Sequence, residues 1–400
     1  MNLIQSIFNF FLTLSFVNLF VICDDVPSPR DAQTSSLVNN KLYFFGGSSV
    51  DNFTNHVWYL DLSNSFNVSV PPLYKGQEML FAVSFASSCV SPIDNSSVFL
   101  IGGNMSLADN ASVPFYPFEV YIFDSKMSYW RPANIIGYNN SYTARYSMQA
   151  VIDNDGKIFM FGGGDSNVTN VNITKNAWYN DMHMLDTTTM KWSTLLLCCF
   201  DIKMVRLFNT KSFTWSNKQT IGASIDNRGR HTAVLTQNGS IIIYGGSTIN
   251  ITQVSPNLAV LDINTWEWSI PNISQKNVPP SLVYHSATIF GNYMIVSFGQ
   301  ILLQLSPATI SYIYILDIRN YTWVTVATIN NLEAIPIPTN PSSSTYTLII
   351  VVTSFVGIIL IGSVITGIFI YKKRQEHRHS IATHGTLLKF ENLKFVIICI

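Results

Sequence analysis

One short pattern, an apolar run that ends in glycine, occurs five times in this 400-residue chain. The runs are LYFFGG, VFLIGG, IFMFGG, IIIYGG and MIVSFGQ, at Leu42–Gly47, Val98–Gly103, Ile158–Gly163, Ile241–Gly246 and Met294–Gln300. Their first glycines stand 56, 60, 83 and 54 residues apart. Recurrence at a period of roughly 50 residues is typical of folds that stack copies of one supersecondary unit. The chain is therefore expected to repeat one module rather than form a single irregular core.

A second signal follows each run: a strand-like segment ends in Asp, and Trp comes six residues later. The spacing holds for the pairs Asp124 and Trp130, Asp186 and Trp192, Asp262 and Trp268, and Asp317 and Trp323. In the first copy, Asn67 stands six residues after Asp61, so the tryptophan is absent there. The fixed spacing predicts a tight turn between two strands, because Asp side chains bond nearby backbone groups in turns. The tryptophans are expected to fill the space between neighbouring sheets.

Each unit is predicted to contain four short strands, of which the second ends in glycine, the third ends in Asp and the fourth carries Trp. The strands are rich in β-branched and aromatic residues, and no long helical period occurs between residues 24 and 345. Four-stranded units of about 50 residues are typical of β-propellers. The apolar tetrad, the glycine pair and the spaced aromatic residues resemble the Kelch repeat from about residue 30 to about residue 325. The resemblance implies an all-β Kelch propeller of the galactose-oxidase/Kelch-like superfamily, which includes attractin- and muskelin-type propellers.

The 83-residue interval contains an irregular unit between residues 193 and 217. Leu207–Trp215 repeats the signal for the third and fourth strands, with Asn209 in place of Asp and Trp215 six residues later. Two second halves therefore stand in a row, with no glycine-ended run between them. We interpret the chain as five full units and one incomplete unit, which favours six blades, with five or seven as the alternatives. Either this blade is short, or an error in the sequence omits its first half.

A histidine precedes the apolar run in two copies, which raises the question of a metal site. His231 and His285 each stand fourteen residues before the first glycine of their copy. Met148 occupies the same position before Gly162. The repetition places the two histidines on different blades and favours a structural role over a pair of metal ligands.

Charge and hydropathy divide the chain into parts. Residues 24–345 carry 17 Lys+Arg and 21 Asp+Glu, and residues 346–400 carry 6 and 2, so a net charge of −4 is followed by one of +4. The apolar run Ile7–Ile22 is typical of a signal peptide. Leu348–Ile370, 23 residues without a charge, is long enough to cross a bilayer as a helix. The basic cluster Lys372–Arg374 directly after it favours the cytoplasmic side.

These segments predict a single-pass type I membrane protein whose propeller is extracellular or lumenal. Its parts are a signal peptide over 1–23, a Kelch propeller ectodomain over 24–330, a Pro/Ser-rich stalk over 331–347, a transmembrane helix over 348–371 and a basic cytoplasmic tail over 372–400. An uncleaved anchor is the alternative for the first segment. Only Cys89, Cys198 and Cys199 fall in the ectodomain, which allows at most one disulfide.

Twelve Asn-x-Ser/Thr sequons lie in the ectodomain and none in the tail, and we expect several to carry N-linked glycans. They are Asn52, Asn67, Asn95, Asn104, Asn110, Asn139, Asn167, Asn172, Asn238, Asn250, Asn272 and Asn320. Half of them follow a glycine pair, in the loops between second and third strands. Because strands alternate in direction, these loops should share one propeller face with the segments that join the blades. Loops on a rigid scaffold are where binding usually occurs, so this face is the candidate binding surface.

The sequence contains none of the catalytic motifs Gly-x-Ser-x-Gly, His-Glu-x-x-His, Walker loop or Cys-x-x-Cys. Zero net charge gives no indication of nucleic-acid binding. We therefore expect a non-enzymatic surface protein, without a cofactor, whose propeller binds an extracellular protein or glycan. A purely adhesive or wall-organising role is a second possibility. The superfamily resemblance implies a further alternative, a membrane-tethered galactose-oxidase-like copper oxidase, although no local motif here matches that copper site.

Overall fold

The computed structural model describes residues 26–49, 53–107, 120–137, 145–165, 168–169, 172–173, 177–195, 205–302, 308–329 and 395–397. The chain divides into two compact units, one formed by Met1–Asn330 with Glu391–Ile400 and the other by Asn331–Phe390. Every described residue belongs to the first unit. The predicted signal peptide, stalk and transmembrane helix, and most of the predicted tail, lie outside the described residues.

Five antiparallel sheets, numbered 1, 2, 3, 5 and 6 in chain order, each contain a four-stranded meander. From first to fourth strand they are Thr34–Val38, Lys41–Phe45, Val57–Asp61 and Leu73–Lys75 in sheet 1; Ser87–Val90, Ser97–Ile101, Val120–Asp124 and Tyr129–Pro132 in sheet 2; Gln149–Ile152, Lys157–Phe161, Met182–Asp186 and Lys191–Leu195 in sheet 3; Thr232–Leu235, Ser240–Tyr244, Leu258–Asp262 and Glu267–Ser269 in sheet 5; and Ser286–Phe290, Tyr293–Ser297, Ile313–Asp317 and Thr322–Val324 in sheet 6. In sheet 5, Ile221–Gly222 adds a parallel strand beside the fourth.

Sheet 4 coincides with the irregular unit of the sequence. Val205–Asn209 and Thr214–Lys218 align with the third and fourth strands of the other sheets. Phe395–Ile397 pairs antiparallel with Val205–Asn209, on the edge where every other sheet has its second strand. No strand among the described residues takes the first position.

Short two- and three-stranded ribbons are formed by residues outside these meanders. They pair Phe81–Ser84 with Asn104–Leu107; Leu282–Val283 with Gln300–Ile301 and then Ala308–Thr309; Gly164–Asp165 with Ala177–Trp178; Val168–Thr169 with Asn172–Ile173; and Phe66–Asn67 with Val326–Ala327. No helix occurs among the residues that the structure describes, and so none there could span a membrane. The prediction of an all-β, Kelch propeller-like architecture is confirmed.

The predicted Asp turn joins the third strand to the fourth. In sheet 2, Asp124 Oδ1 accepts hydrogen bonds from the backbone N–H groups of Lys126 and Met127, both at 2.9 Å. Ser128 then takes a left-handed conformation with φ of +54°, which reverses the chain within the spacing of six. The same left-handed conformation occurs four residues after the Asp or Asn in the other turns, at Met190, Phe213, Trp266 and Tyr321. The sequence gives no sign of this feature, since glycine, the usual residue there, is absent.

The tryptophans lie where the sequence predicts them, between neighbouring sheets. Each one packs in the apolar cluster between its own sheet and the preceding sheet: Trp130, Trp192, Trp215, Trp268 and Trp323. A sixth cluster joins sheet 6 to sheet 1 and contains Phe298 and Trp58, without a tryptophan at the repeat position. Six apolar clusters therefore link the six sheets into a ring. Second strands are covered on both faces, which explains why they are almost continuously apolar.

A backbone hydrogen bond joins the glycine-ended turn of one sheet to the next sheet, and we call this bond the glycine rung. The N–H of Gly47 donates to the Val83 carbonyl at 2.8 Å, and Gly103, Gly246 and Gly299 make the equivalent bonds to Arg145, Leu282 and Arg30. The last bond closes sheet 6 onto sheet 1. Both glycines of each pair have positive φ, and a Cβ at Gly46 would stand 2.2 Å from the Val83 carbonyl oxygen. Glycine is required here by both conformation and space.

We expect Gly102→Ala to destabilise the domain more than its matched control Gly162→Ala. The two glycines have similar φ, +61° and +68°. A Cβ at Gly102 would stand 2.5 Å from the Arg145 carbonyl oxygen, whereas at Gly162 the nearest atom is 3.3 Å away. Strain at positive φ costs about 1–2 kcal/mol in either variant, and the close contact adds about 1–3 kcal/mol at Gly102. Urea unfolding measures both losses, and equal losses would contradict this role of the rung.

Candidate functional site

A second set of left-handed residues surrounds the centre of the ring. The residue two positions before each complete first strand has positive φ and is never glycine; these residues are Ala32, Phe85, Ser147, Arg230 and Tyr284, with φ of +53°, +57°, +56°, +61° and +54°. We call these five residues the axial collar. A left-handed conformation costs a non-glycine residue about 1–2 kcal/mol, and such outliers concentrate at functional sites.

Backbone hydrogen bonds connect the axial collar from sheet to sheet. Ser147 N–H donates to the Phe85 carbonyl at 2.9 Å, and Phe85 N–H donates to Ala32 at 2.8 Å. Ala32 in turn donates to Tyr284 at 2.9 Å, and Tyr284 to Arg230 at 3.1 Å. Five side chains are thereby held at defined positions on one face. Because the loops between second and third strands adjoin the same positions, this is the face that the sequence predicts as the binding surface.

Aromatic side chains cover part of this face. The Phe85 ring lies 5.2 Å from that of Tyr284 and 6.2 Å from that of Tyr146, both in edge-on geometry. Tyr146 in turn contacts Trp178 at 5.7 Å. Trp178 lies in the loop between the second and third strands of sheet 3 and is 66% exposed. We call Phe85, Tyr146, Trp178 and Tyr284 the aromatic arc; it is an apolar surface held by packing on a rigid backbone.

Arg230 adds a positive charge beside the aromatic arc. Its Nε donates to the Tyr284 hydroxyl at 2.5 Å and its Nη1 donates to Ser247 Oγ at 2.8 Å. The guanidinium also lies 5.6 Å from the centre of the Tyr284 ring. These bonds use two of the five N–H donors of the arginine. The exposed guanidinium is thus fixed in orientation and retains donors that a ligand could meet.

Hydroxyl groups line the strands nearest the axis and bond across the sheets. Thr34 and Ser36 both contact Ser88 Oγ, at 2.7 and 2.8 Å. Ser35 approaches Thr288 on the other side at 3.4 Å. The interior of the ring is therefore polar beneath an aromatic rim, an arrangement suited to a ligand with both apolar and hydroxyl or amide groups.

A buried acid and a buried base precede the axial collar in sheet 1. Burial raises the pKa of Asp31 to about 6 and lowers the pKa of Arg30 to about 10. Arg30 donates to the carbonyls of Ser28 and Gly46, at 3.1 and 3.2 Å. The Arg30 guanidinium thus stabilises the glycine turn. Arg145 and Arg228 donate in the same way to the first glycines of sheets 3 and 5, a recurrence that the sequence analysis missed. Its only signal is an arginine 16 or 17 residues before the glycine.

A buried ion-pair network supports the collar in sheet 3. Arg145 forms a two-point contact with the Asp181 carboxylate, and His183 Nε2 lies 3.0 Å from Asp181 Oδ2. The Arg145 guanidinium also lies 3.8 Å from the Tyr179 ring centre. Burial acts to raise the pKa of Asp181, but the bonds from Arg145 and His183 outweigh it and hold this pKa well below its usual range. The network fixes the chain directly before Tyr146 and Ser147.

The two repeated histidines occupy equivalent positions in sheets 5 and 6, as the sequence predicts. His285 Nε2 lies 2.7 Å from Thr232 Oγ1, the residue after His231. Burial lowers the pKa of His231 to about 4 and that of His285 to about 3, so both rings are neutral at pH 7. No group of three His, Cys, Asp or Glu side chains that could hold a metal occurs in the described part of the chain. The copper-oxidase alternative stays a prediction from the superfamily resemblance.

Most of the described sequons are accessible. Asn67, Asn95, Asn238, Asn250, Asn272 and Asn320 are exposed. Asn104 is half-buried, and its Oδ1 is buried without a hydrogen-bond partner. The side chains of Asn52, Asn110, Asn139, Asn167 and Asn172 lie outside the described residues. Cys89 is a buried free thiol whose pKa is raised to about 12 by burial, whereas Cys198 and Cys199 are not described.

Asp31→Asn is expected to stabilise the protein at pH 7.5 but not at pH 4. The folded protein keeps the Asp31 proton to about pH 6, whereas the unfolded chain releases it near pH 4. The stability linked to this proton is therefore complete below about pH 4 and is lost as the pH rises through 6. Because asparagine cannot ionise, we expect a gain of about 3 kcal/mol at pH 7.5. Thermal melts at both pH values measure it; the exposed Asp155→Asn is the control, and a pH-independent effect would contradict the assignment.

Sheets that repeat with a glycine pair, an Asp turn and an interface tryptophan define a Kelch-repeat propeller. The chain matches the model of the KLHDC2/KLHL20/DRC7 Kelch-repeats domain over residues 11–163 and 199–357, and it belongs to this family.

Three curated relatives are similar over parts of their lengths. Acyl-CoA-binding domain-containing proteins 4 and 5 of Arabidopsis thaliana are each 22% identical, over 76% and 78% of this chain but only 39% and 41% of those proteins. Kelch domain-containing protein 3 of Rattus norvegicus is 30% identical over 32% of this chain and 34% of its own length. This chain thus spans about two fifths of the first two relatives.

Among solved structures, YjhT superposes with a TM-score of 0.55 at 12% identity, over 76% of this chain and 99% of that one. At this identity the likeness concerns the fold alone.

Proposed function

We propose that this Kelch-repeat protein is a non-enzymatic binding protein whose ligand, a protein or a glycan, docks on the face formed by the axial collar and the aromatic arc. The single observation that carries the proposal is the exposed Trp178, seated on Tyr146 and continuous with Phe85 and Tyr284. A tryptophan that is largely exposed leaves apolar surface for a partner. Aromatic residues and arginine also dominate the energetics of binding surfaces.

The collar's geometry favours binding over catalysis. Its strained backbone positions hold aromatic and guanidinium groups in fixed orientations, which lowers the entropy lost when a ligand is bound. The titratable groups beneath this face, Arg145 with Asp181 and the neutral His285, are buried and engaged in structural contacts. A ligand at the rim would meet apolar rings, the Arg230 donors and hydroxyl groups.

A cell-surface location stays a prediction of the sequence. It depends on the charge-free run Leu348–Ile370 and on the apolar N-terminal segment, both outside the described residues. The relatives' names describe those proteins, and the larger part of each Arabidopsis protein has no counterpart in this chain. Acyl-CoA binding is therefore not part of the proposal.

Trp178→Ala is expected to weaken ligand binding at least tenfold while leaving the thermal melt unchanged, because the side chain is 66% exposed. The ligand is first sought by screening the full-length protein against glycan and protein arrays, and the affinity is then measured by surface plasmon resonance. The control is Tyr129→Ala, which removes a 45% exposed aromatic ring at the turn between third and fourth strands, at the opposite end of sheet 2. Equal affinities for wild type and Trp178→Ala, or an equal loss in both variants, would contradict the proposed site.

N-linked glycosylation tests the predicted passage through the secretory pathway. We expect Asn238→Gln to remove one glycan, because Asn238 is exposed in a turn between two strands. Asn104→Gln is expected to remove none, because Asn104 lies half-buried in a paired strand. Gel mobility before and after enzymatic removal of N-glycans measures this. A wild-type chain without any such shift would contradict the secretory prediction.

A further inference from the structure

In the described part of the chain, the backbone hydrogen bonds that join neighbouring sheets are interrupted at sheet 4. Sheets 1, 2, 5 and 6 each donate a glycine N–H to the following sheet, but no such rung from Gly163 is found among the described residues. In the axial collar, hydrogen bonds likewise connect Arg230 of sheet 5 to Ser147 of sheet 3 through sheets 6, 1 and 2. No collar bond through sheet 4 is found among the described residues. Among the described residues, only Phe395–Ile397 stands where the first and second strands of this blade would lie.

The first strands of sheets 3 and 5, which flank sheet 4, contain exposed residues. The first strand of sheet 5 has exposed residues at Ala233 and Leu235, and Leu235 is 50% exposed. The first strand of sheet 3 begins with the exposed Gln149. In sheets 1, 2 and 6, no residue of the first strand is exposed. No first strand of sheet 4 is described beside Leu235, in keeping with the half-exposure of this aliphatic side chain.

The third strand of sheet 4 is nevertheless well packed. Val205 and Leu207 lie in the apolar cluster shared with sheet 5, and Phe208 lies in the cluster shared with sheet 3. Four of its five residues are buried. A strand that is covered on both faces but open along one edge presents a row of backbone groups that favours pairing with an added strand.

Phe395–Ile397 occupies this edge. Arg206, Leu207 and Phe208 oppose Ile397, Val396 and Phe395 in antiparallel register. The sequence Phe-Val-Ile is apolar and has high strand propensity, as do the second strands of the other sheets. In strand addition, main-chain hydrogen bonds supply much of the affinity and apolar side chains supply the selectivity.

We propose that Phe395–Ile397 is a donor strand, which completes the second-strand position of sheet 4 within the same chain. The acceptor is the second-strand edge of Val205–Asn209. The proposal is independent of the ligand proposed for the axial collar. It excludes the predicted transmembrane helix over 348–371 in the same molecule, because a single span would put Phe395–Ile397 and sheet 4 on opposite sides of the bilayer.

A disulfide trap tests the pairing in the full-length chain. Opposed residues of antiparallel strands have Cα atoms about 4.5–5.5 Å apart, within the reach of a disulfide. Leu207→Cys and Val396→Cys are combined in a background in which Cys198, Cys199 and Cys399 are replaced by Ser. The cells are oxidised intact with diamide before lysis, and the linked peptides are identified by mass spectrometry. The control combines Leu207→Cys with Phe395→Cys, one residue out of register.

A disulfide within one chain for the in-register pair, at least tenfold more abundant than for the control, would support the proposal. A disulfide that joins two chains would overturn it in favour of a strand from a second copy. Absence of the bond in chains that have folded, as judged by an unchanged thermal melt, would also overturn it and would favour the predicted membrane span.

Proline substitution gives a second readout that requires no cysteine. Val396→Pro removes an N–H and distorts the donor strand, so we expect the melting temperature of the full-length protein to fall by about 2–4 °C. Leu393→Pro, outside the paired residues, is the control and should leave the melt unchanged. Equal melting temperatures for Val396→Pro and wild type would count against the donor strand.

Discussion

The bond from a glycine N–H to a carbonyl of the next sheet is the constraint on which the rest of the ring depends. It brings two backbones so close that a Cβ at Gly46, Gly102 or Gly245 would stand 2.2–2.5 Å from a carbonyl oxygen. In these three sheets the residue that follows the apolar second strand must therefore be glycine, and the next sheet is fixed in rotation at that point. In every unit except the first, a tryptophan then packs between the two sheets. Closure follows because the same bond joins Gly299 to Arg30.

Much of this could be predicted from the sequence, because the features that recur are set by local chemistry. The spacing of six between Asp124 and Trp130 reflects a turn in which the carboxylate accepts two backbone bonds. The interface position of the tryptophans follows from the same spacing. The left-handed residues could not be predicted, since Phe85, Arg230 and Tyr284 have side chains that ordinarily avoid positive φ. Contacts between sheets, which no local pattern records, hold them in that conformation.

The candidate site has the same dependence on contacts between sheets. The sequence indicates the correct face, because loops between second and third strands must share it with the segments that join the blades. It does not indicate which side chains meet there: Tyr146, Phe85 and Tyr284 come from three sheets and are far apart in the chain. Arg230 is oriented by Tyr284 from the neighbouring sheet. The proposed binding surface is produced by the ring and is absent from any single repeat.

The two halves of a blade make different contacts. The third and fourth strands of sheet 4 are therefore sufficient for its apolar interfaces with sheets 3 and 5. The third and fourth strands of sheet 4 carry Phe208 and Trp215 towards sheet 3, and Val205 and Leu207 towards sheet 5, so both apolar clusters form. The first half of a blade contributes the glycine rung and the collar residue, and neither connection is found for sheet 4 among the described residues. The loss is concentrated at the axis, beside Leu235. An added strand on Val205–Asn209 restores the second-strand position but brings no glycine pair, and no collar bond between Ser147 and Arg230 is found in the described part of the chain.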